Sequence, residues 1–268
     1  RTIESAQGPY VQINGKSYLS FCSNNYLGLA DHPKIKQAAI AAINQYGWGT
    51  GASRLVAGNM ILHQELEKKI AEFKSTEAAL LFSTGYMANV GAVCALVGRE
   101  DIIIGDKLNH ASIIDGCRQS GATFRVYPHN NVSQLESLLQ KSSKYRRRMV
   151  VTDSVFSMDG DTAPLPKIAE IAQKYDAILM IDDAHATGVF GQHGKGMIEH
   201  YGLEGKVDII MGSLSKAIGS IGGFIAGNKC LIDFLKNKAR SFVYTTALPP
   251  AACAASLAGL TLIQEDTS

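Results

Sequence analysis

Short runs of continuously apolar residues, rich in Ile and Val, alternate along this chain with stretches in which apolar positions return every three or four residues. The runs cover residues 79–82, 102–104, 124–127, 149–152, 178–181, 209–211 and 223–226. A strand covered on both faces carries apolar side chains at every position, so these seven runs predict the strands of a buried sheet. Helical patterns separate most of them, as at Leu165, Ile168, Ala172 and Tyr175. The last two runs lie too close together for a helix and are expected to pair antiparallel. Ahead of the sheet, residues 10–13 and 18–21 flank an Asn14-Gly15 turn, which predicts a hairpin. Pro33 opens a helix with Ile35, Ala39, Ile43 and Tyr46 on its apolar face. A second helix, over about 61–73, carries Glu and Lys on what is expected to be its outer face. The pattern as a whole predicts a three-layer α/β/α domain around a mixed, mainly parallel seven-stranded sheet. Ligands in such sheets gather at the carboxyl ends of the strands, so residues just past each strand are the first candidates for chemistry.

Composition narrows the class. With 268 residues, 46% hydrophobic and 19% charged, the chain has the apolar material for a large core. Its 26 basic and 24 acidic residues leave a net charge of +2, too even for a nucleic-acid binder. Lys144 with Arg146, Arg147 and Arg148 is the one basic cluster, and it reads as a solvated loop. The five cysteines (Cys22, Cys94, Cys117, Cys230 and Cys253) form no C-x-x-C and no metal-ligand spacing with histidine, so no metal site is expected. Unpatterned cysteines, no signal peptide and no apolar run of membrane-spanning length point to the cytoplasm and to no membrane partner. The start at Arg1 and the stop within a helical pattern at Ser268 are expected to mark a fragment.

Two glycine clusters fail as nucleotide sites. The cluster from Gly47 to Gly51 follows a helix instead of a strand, and the stretch from Gly188 to Lys195 is one residue too long for a P-loop, with Gly196 in place of the required hydroxyl. Four post-strand segments hold better candidates. The segment running from Ser83 through Gly85 and Tyr86 to Asn89 precedes an apolar helix whose first amides suit a phosphate, although alone it also fits an ordinary capped turn. His110, in Asn109-His110-Ala111-Ser112, can stack on a planar ring or exchange protons near neutral pH. Asp182 and Asp183 end a buried strand, where a carboxylate is costly unless it meets a cation such as a protonated pyridine nitrogen; strand alternation lets only one of them face it. Lys216, among Ser213, Leu214, Ser215 and Ala217, stands where desolvation would free its amine to attack an aldehyde. A phosphate-type turn, a stacking histidine, a strand-end aspartate and a lysine, all past strands and in this order, describe a site for pyridoxal 5'-phosphate (PLP).

The motifs are long enough to be matched to a family. Ser23-Asn24-Asn25-Tyr26-Leu27-Gly28, Asn109-His110-Ala111-Ser112, Phe156-Ser157-Met158-Asp159-Gly160, Asp182-Asp183-Ala184-His185 and the stretch from Ser213 to Lys216 resemble those of the α-oxoamine synthases. These are fold-type I PLP enzymes, of aspartate aminotransferase-like fold, that join an amino acid to an acyl-CoA with loss of CO2. The resemblance implies roles for single residues. Lys216 would hold the cofactor as a Schiff base and move protons at the substrate α-carbon. Asp182, not Asp183, would pair with the pyridine nitrogen, His185 would bond the ring's phenolic oxygen, and His110 would stack on the ring. Ser157, Gly85, Tyr86 and Ser213 would lie against the cofactor or its phosphate, and Asn24 near the substrate. Thr245 and Thr246 would reach a phosphate in a partner subunit, which implies a homodimer with shared active sites. Residues 1–32 would form an N-terminal hairpin segment and 33–268 the PLP-binding large domain. The family's smaller C-terminal domain, which supplies an Arg for the amino-acid carboxylate, would be missing. Ser215 stands where many relatives have Gly.

Three further stretches bear on the substrates: Phe156 to Leu165, Ser83 to Tyr86, and Tyr244 to Pro250. They are most similar to the member that joins L-alanine to a pimeloyl thioester, carried by CoA or by a carrier protein, with the glycine-using member as the alternative. A non-catalytic PLP-fold partner subunit and a plain aminotransferase are readings of other kinds. Lys216, Asp182, His185 and His110 together argue against the first, and the context of His110 against the second.

Overall fold

All seven apolar runs are strands of one sheet in the computed structural model, which describes residues 1–265. A hairpin comes first, β1 (Tyr10–Ile13) and β2 (Lys16–Leu19), in a two-stranded sheet of its own. Both turn residues are left-handed, Asn14 at φ 50° and Gly15 at φ 68°, as a two-residue hairpin turn demands. So tight a turn puts Lys16 directly opposite Ile13, which starts the second strand two residues earlier than expected. Helices α1 (Pro33–Tyr46) and α2 (Ile61–Lys74) lead into β3 (Ala78–Phe82), α3 (Gly85–Leu96), β4 (Ile102–Asp106) and α4 (Ala111–Gln119). Next come β5 (Thr123–Tyr127), α5 (Val132–Gln140), β6 (Arg148–Asp153), α6 (Leu165–Lys174), β7 (Ile178–Asp182) and α7 (Met197–His200). The chain closes with β8 (Ile209–Ser213), β9 (Gly223–Gly227), α8 (Lys229–Lys238), α9 (Arg240–Val243) and α10 (Pro250–Glu265).

The strand order is β3-β9-β8-β7-β6-β4-β5, parallel from β8 to β5, with β9 antiparallel to both neighbours as its short connection requires. Alternate strand residues feed opposite layers. Leu80, Ile103, Met149, Val151 and Met180 pack with Ala92 of α3, Ile113 of α4 and Leu235 of α8. Leu81, Ile104, Val150, Leu179 and Ile181 pack on the other side with Ile70 of α2, Leu135 of α5, Ile168 of α6 and Leu260 of α10. That two-sided burial is why these strands contain so few polar residues before their carboxyl ends.

Three local expectations fail for one reason: the partner is remote in sequence. Helix α1 buries Ile35 and Ala42, two turns apart, against α10, so Ile43, about 100° further round, is exposed. In α2, Glu65, Lys68 and Glu72 are exposed as expected, but Glu67 faces inward, as does Lys74 just past the expected helix. Glu67 takes both guanidinium nitrogens of Arg54 at 3.0 and 2.9 Å and the amide of Leu81 at 3.0 Å. The basic cluster is likewise a structural knot and no free loop: Arg146 grips buried Asp101 at 3.0 and 2.8 Å, and Arg147 donates to the carbonyl of Leu96 at 2.8 Å. Among the described residues no helix is long and apolar enough to cross a membrane.

Candidate active site

Aspartates close three neighbouring strands, Asp106 on β4, Asp153 on β6 and Asp182 on β7. Register sets Asp153 opposite Asp182, so two buried carboxyls face each other across adjacent strands. Burial first, and then the charge of Asp182, push the Asp153 carboxyl well above the usual range. Lys216 stands three residues past β8. Burial lowers its amine, while the charges of Asp182 and Asp153 hold it up in part, so it is less basic than an exposed lysine yet lies in the field of both acids.

Hydrogen bonds aim these groups. Asp182 Oδ2 accepts from Asn89 Nδ2 at 2.7 Å and Oδ1 from the amide of Ala184 at 3.0 Å. Asn89 also donates to Ser112 Oγ at 2.8 Å, and that oxygen lies 2.7 Å from His110 Nδ1. A bonded path therefore joins the strand-end carboxylate to the histidine that caps α4. The second tie on that loop is Asp153, which accepts the His110 amide at 2.7 Å while its own amide donates to Asn109 Oδ1 at 3.1 Å. The His110 ring remains exposed on the open side of the site.

His185, just past β7, is half-buried. Burial, together with the positive charges of Lys216 and His110, pushes its pKa down to about 4, so the imidazole is neutral at pH 7. Its Nδ1 is 2.7 Å from the Tyr26 hydroxyl, which also lies 3.1 Å from Asn24 Oδ1. That contact draws the Asn24 segment to the strand ends.

Asp183 points the other way, as strand alternation requires. Its Oδ2 meets Lys74 Nζ at 2.8 Å, and its Oδ1 accepts from Ser154 Oγ at 2.8 Å and the Met197 amide at 3.2 Å. Gly196 packs so closely on this carboxylate that any Cβ there would collide with it. The buried pair pins the loop after β7, and with it Asp182 and His185. Lys74→Met strands an uncompensated buried charge and is expected to lower unfolding stability by about 3–5 kcal/mol, with Lys74→Met/Asp183→Asn recovering most of the loss. Urea unfolding of both variants checks this; a single variant as stable as the parent would refute it.

The remaining expected residues line the same end of the sheet. Thr84 caps α3 by accepting the Met87 amide at 3.1 Å, which leaves Gly85 and Tyr86 to open the helix. Gly223 of β9 approaches so near that a Cβ there would lie 2.6 Å from Gly85 Cα. The Tyr86 hydroxyl donates to Asp115 at 2.8 Å. Ser213 is buried, and its Oγ is 2.7 Å from Ser215 Oγ, so the serine that stands in place of glycine braces the turn before Lys216. Ser157 is exposed on the loop between β6 and α6. His129 staples this loop to β4 by bridging Asp161 at 2.8 Å and Asp106 at 2.9 Å, its ring nearly perpendicular to that of Phe156 with centroids 4.4 Å apart. The Thr246 carbonyl accepts from Ser83 Oγ of the same chain at 3.1 Å, which sets Thr245 and Thr246 beside the α3 turn.

Asp153, Asn89 and Tyr26 are the residues that sequence reasoning missed. Asp153 carries the signal used for Asp182, a carboxylate ending an apolar strand. Asn89 and Tyr26 lie within quoted motifs, but their partners are 93 and 159 residues away. The donor set fits PLP: a desolvated amine for the aldehyde, a buried carboxylate for a protonated ring nitrogen, a neutral imidazole for the ring oxygen, and a helix start with a nearby hydroxyl for the phosphate.

Comparison with known proteins agrees with this chemistry. The model of the aminotransferase class I and II family matches residues 16–265. The chain is 52% identical over 266 residues to 8-amino-7-oxononanoate synthase 1 of Bacillus subtilis, covering 99% of this chain and 68% of that one. It is equally 52% identical to 8-amino-7-oxononanoate synthase of Thermoanaerobacter pseudethanolicus, covering 98% and 67%. Among solved structures, that of SPT with PLP as an internal aldimine superposes with a TM-score of 0.95 at 35% identity, over 98% of this chain and 67% of that one. The chain thus spans about two thirds of the length of these relatives.

Proposed function

The chain belongs to the aminotransferase class I and II family, in its α-oxoamine synthase branch, and from that premise we propose that it condenses L-alanine with pimeloyl-CoA or a pimeloyl-carrier protein. The products are 8-amino-7-oxononanoate, the free thiol and CO2, a step of biotin biosynthesis, and the cofactor is PLP. The observation that carries the reading is the half-buried Lys216, three residues past β8 and within the field of Asp182, which closes the adjoining strand β7.

PLP supplies an electron sink for the carbanion that forms at the amino-acid α-carbon. The chain's own residues do the rest. Lys216, lowered by burial, has a larger uncharged fraction than a surface lysine and serves first as nucleophile, then as the base and acid at the α-carbon. Asp182, held by Asn89 and Ala184, keeps an anion where the ring nitrogen needs its proton. His110 would stack on the ring, and neutral His185 would hydrogen-bond the ring oxygen without adding charge. Gly85, Tyr86 and Ser213 would hold the cofactor and its phosphate, Ser157 would also contact the cofactor, and Asn24 would lie near the substrate.

In this reading residues 33–268 are the PLP-binding large domain and 1–32 a segment packed on it; positions 266–268 lie outside the described residues. The functional unit is a cytoplasmic homodimer in which Thr245 and Thr246 serve the partner's phosphate. Phe21, Trp48, Val56 and Tyr244 support the dimer, since large apolar side chains left in water favour a covering partner.

The test is thiol release by the full-length protein with pimeloyl-CoA and L-alanine, set beside acetyl-CoA and glycine. Release with the first pair alone is the expected result. Release with the second alone would make it the glycine-using member; silence with both, despite bound PLP, would exclude CoA as the carrier, and silence with pimeloyl-carrier protein and L-alanine as well would overturn catalysis in favour of a non-catalytic partner subunit.

A further inference from the structure

A neutral histidine can offer a cofactor either a proton or a lone pair, and which one is settled by whatever touches its other nitrogen. Among the described residues, Tyr26 is the hydrogen-bond partner of His185, at 2.7 Å from Nδ1, with the two rings tilted 50° apart. We propose that Tyr26 is a positioning residue whose phenol donates to His185 Nδ1 and so fixes the tautomer that carries its proton on Nε2. This rests on the reading above, in which His185 meets the ring oxygen of PLP.

The argument turns on one proton. The Tyr26 hydroxyl has two acceptor-type neighbours, His185 Nδ1 at 2.7 Å and Asn24 Oδ1 at 3.1 Å, and a single hydrogen to give. Given to Asn24, it forces His185 to donate from Nδ1 and leaves Nε2 bare, lone pair to lone pair with an electron-rich ring oxygen. Given to His185, it leaves Nε2–H as a donor toward that oxygen. The shorter contact favours the second arrangement. The Asn24 amide, turned end for end, then completes the chain by donating Nδ2–H to the phenol oxygen at no cost in shape. The flow of donation is Asn24 to Tyr26 to His185 to the cofactor.

The surroundings make the tautomer the only variable left. The charged and titratable groups that act on His185 are Lys216, from the turn after β8, and His110, from the start of α4; both disfavour an imidazolium. Tyr26 comes from the segment before α1, and burial holds its phenol un-ionised. His185 therefore cannot charge itself to become a donor on both nitrogens. Tyr26 is also 42% exposed, so Tyr26→Phe keeps the ring and is not expected to unfold the chain.

Two readouts test the proposal on the full-length protein. In imidazole ¹⁵N–¹H spectra recorded without cofactor, His185 should carry its proton on Nε2 in the parent and lose that preference in Tyr26→Phe. In the pH titration of the bound cofactor's visible absorbance, Tyr26→Phe should raise the midpoint by about one unit, a tenfold gain in proton affinity once the ring oxygen loses its donor. His185→Asn should move it the same way, with the double variant no further than His185→Asn alone. If His185→Asn shifts the midpoint and Tyr26→Phe does not, the proposal falls while the role of His185 stands. If neither shifts it with PLP bound, both fail. A Tyr26→Phe shift that persists in the His185→Asn background would also overturn the proposal, because Tyr26 would then act by another route.

Discussion

Lys216→Ala is expected to abolish thiol release from pimeloyl-CoA in the presence of L-alanine, by about 10³-fold or more, because the covalent anchor and the general base are lost with one side chain. Burial lowers this amine, and the charges of Asp182 and Asp153, at the carboxyl ends of β7 and β6, hold it up in part. The fold should survive, since the strands on either side are held by their own ladders and Ser213 and Ser215 still brace the turn. PLP should remain bound without a covalent link, so that borohydride no longer attaches it to the protein. Purified Lys216→Ala that still releases thiol at the parent rate would remove the assignment of Lys216 altogether.

Asp182→Asn is expected to lower kcat by about 10³-fold, the equivalent of about 4 kcal/mol, while PLP binding and the fold persist. The substitution keeps shape and keeps an oxygen for the Ala184 amide. Its new amide group faces Asn89, whose Oδ1 is buried without a partner, so a turn of Asn89 restores a hydrogen bond where the original is lost. What cannot be restored is the negative charge that keeps a pyridine nitrogen protonated. The same change removes the second-largest cause of the raised Asp153 carboxyl, so Asp153 should titrate lower in the variant. Steady-state rates and cofactor absorbance, with carboxyl titration by NMR, check all three. A variant with the parent kcat would show that the carboxylate plays no part in the electron sink.

The architecture was legible because it rests on local signals. Continuous Ile and Val runs mark strands that must be apolar on both faces, and all seven are strands, lengthened by one or two residues at their ends. Asn14-Gly15 marked its hairpin because few other residues adopt two successive positive φ values. The candidate site was legible in part for the same reason. In a parallel sheet the chemistry collects past the strand ends, so Lys216, Asp182 and His110 are marked by position and order together, and His185 by the family resemblance.

What the chain's order of residues determined, then, is which elements form and which side chains are delivered to one end of the sheet, since strand period and turn chemistry act over a few residues. Which polar groups meet there was decided only by the tertiary structure. Lys74 reads as an outer helix charge until Asp183, 109 residues on, turns to face it. Asp153 becomes reluctant to ionise only when the closed layers bury it and register sets it opposite Asp182. Tyr26 and His185 are joined across 159 residues by the packing of an N-terminal segment over strand ends. Hydrogen bonds and charge pairs between remote residues depend on ångström distances that no periodicity encodes, and burial, which sets their strength, exists only once the layers have closed.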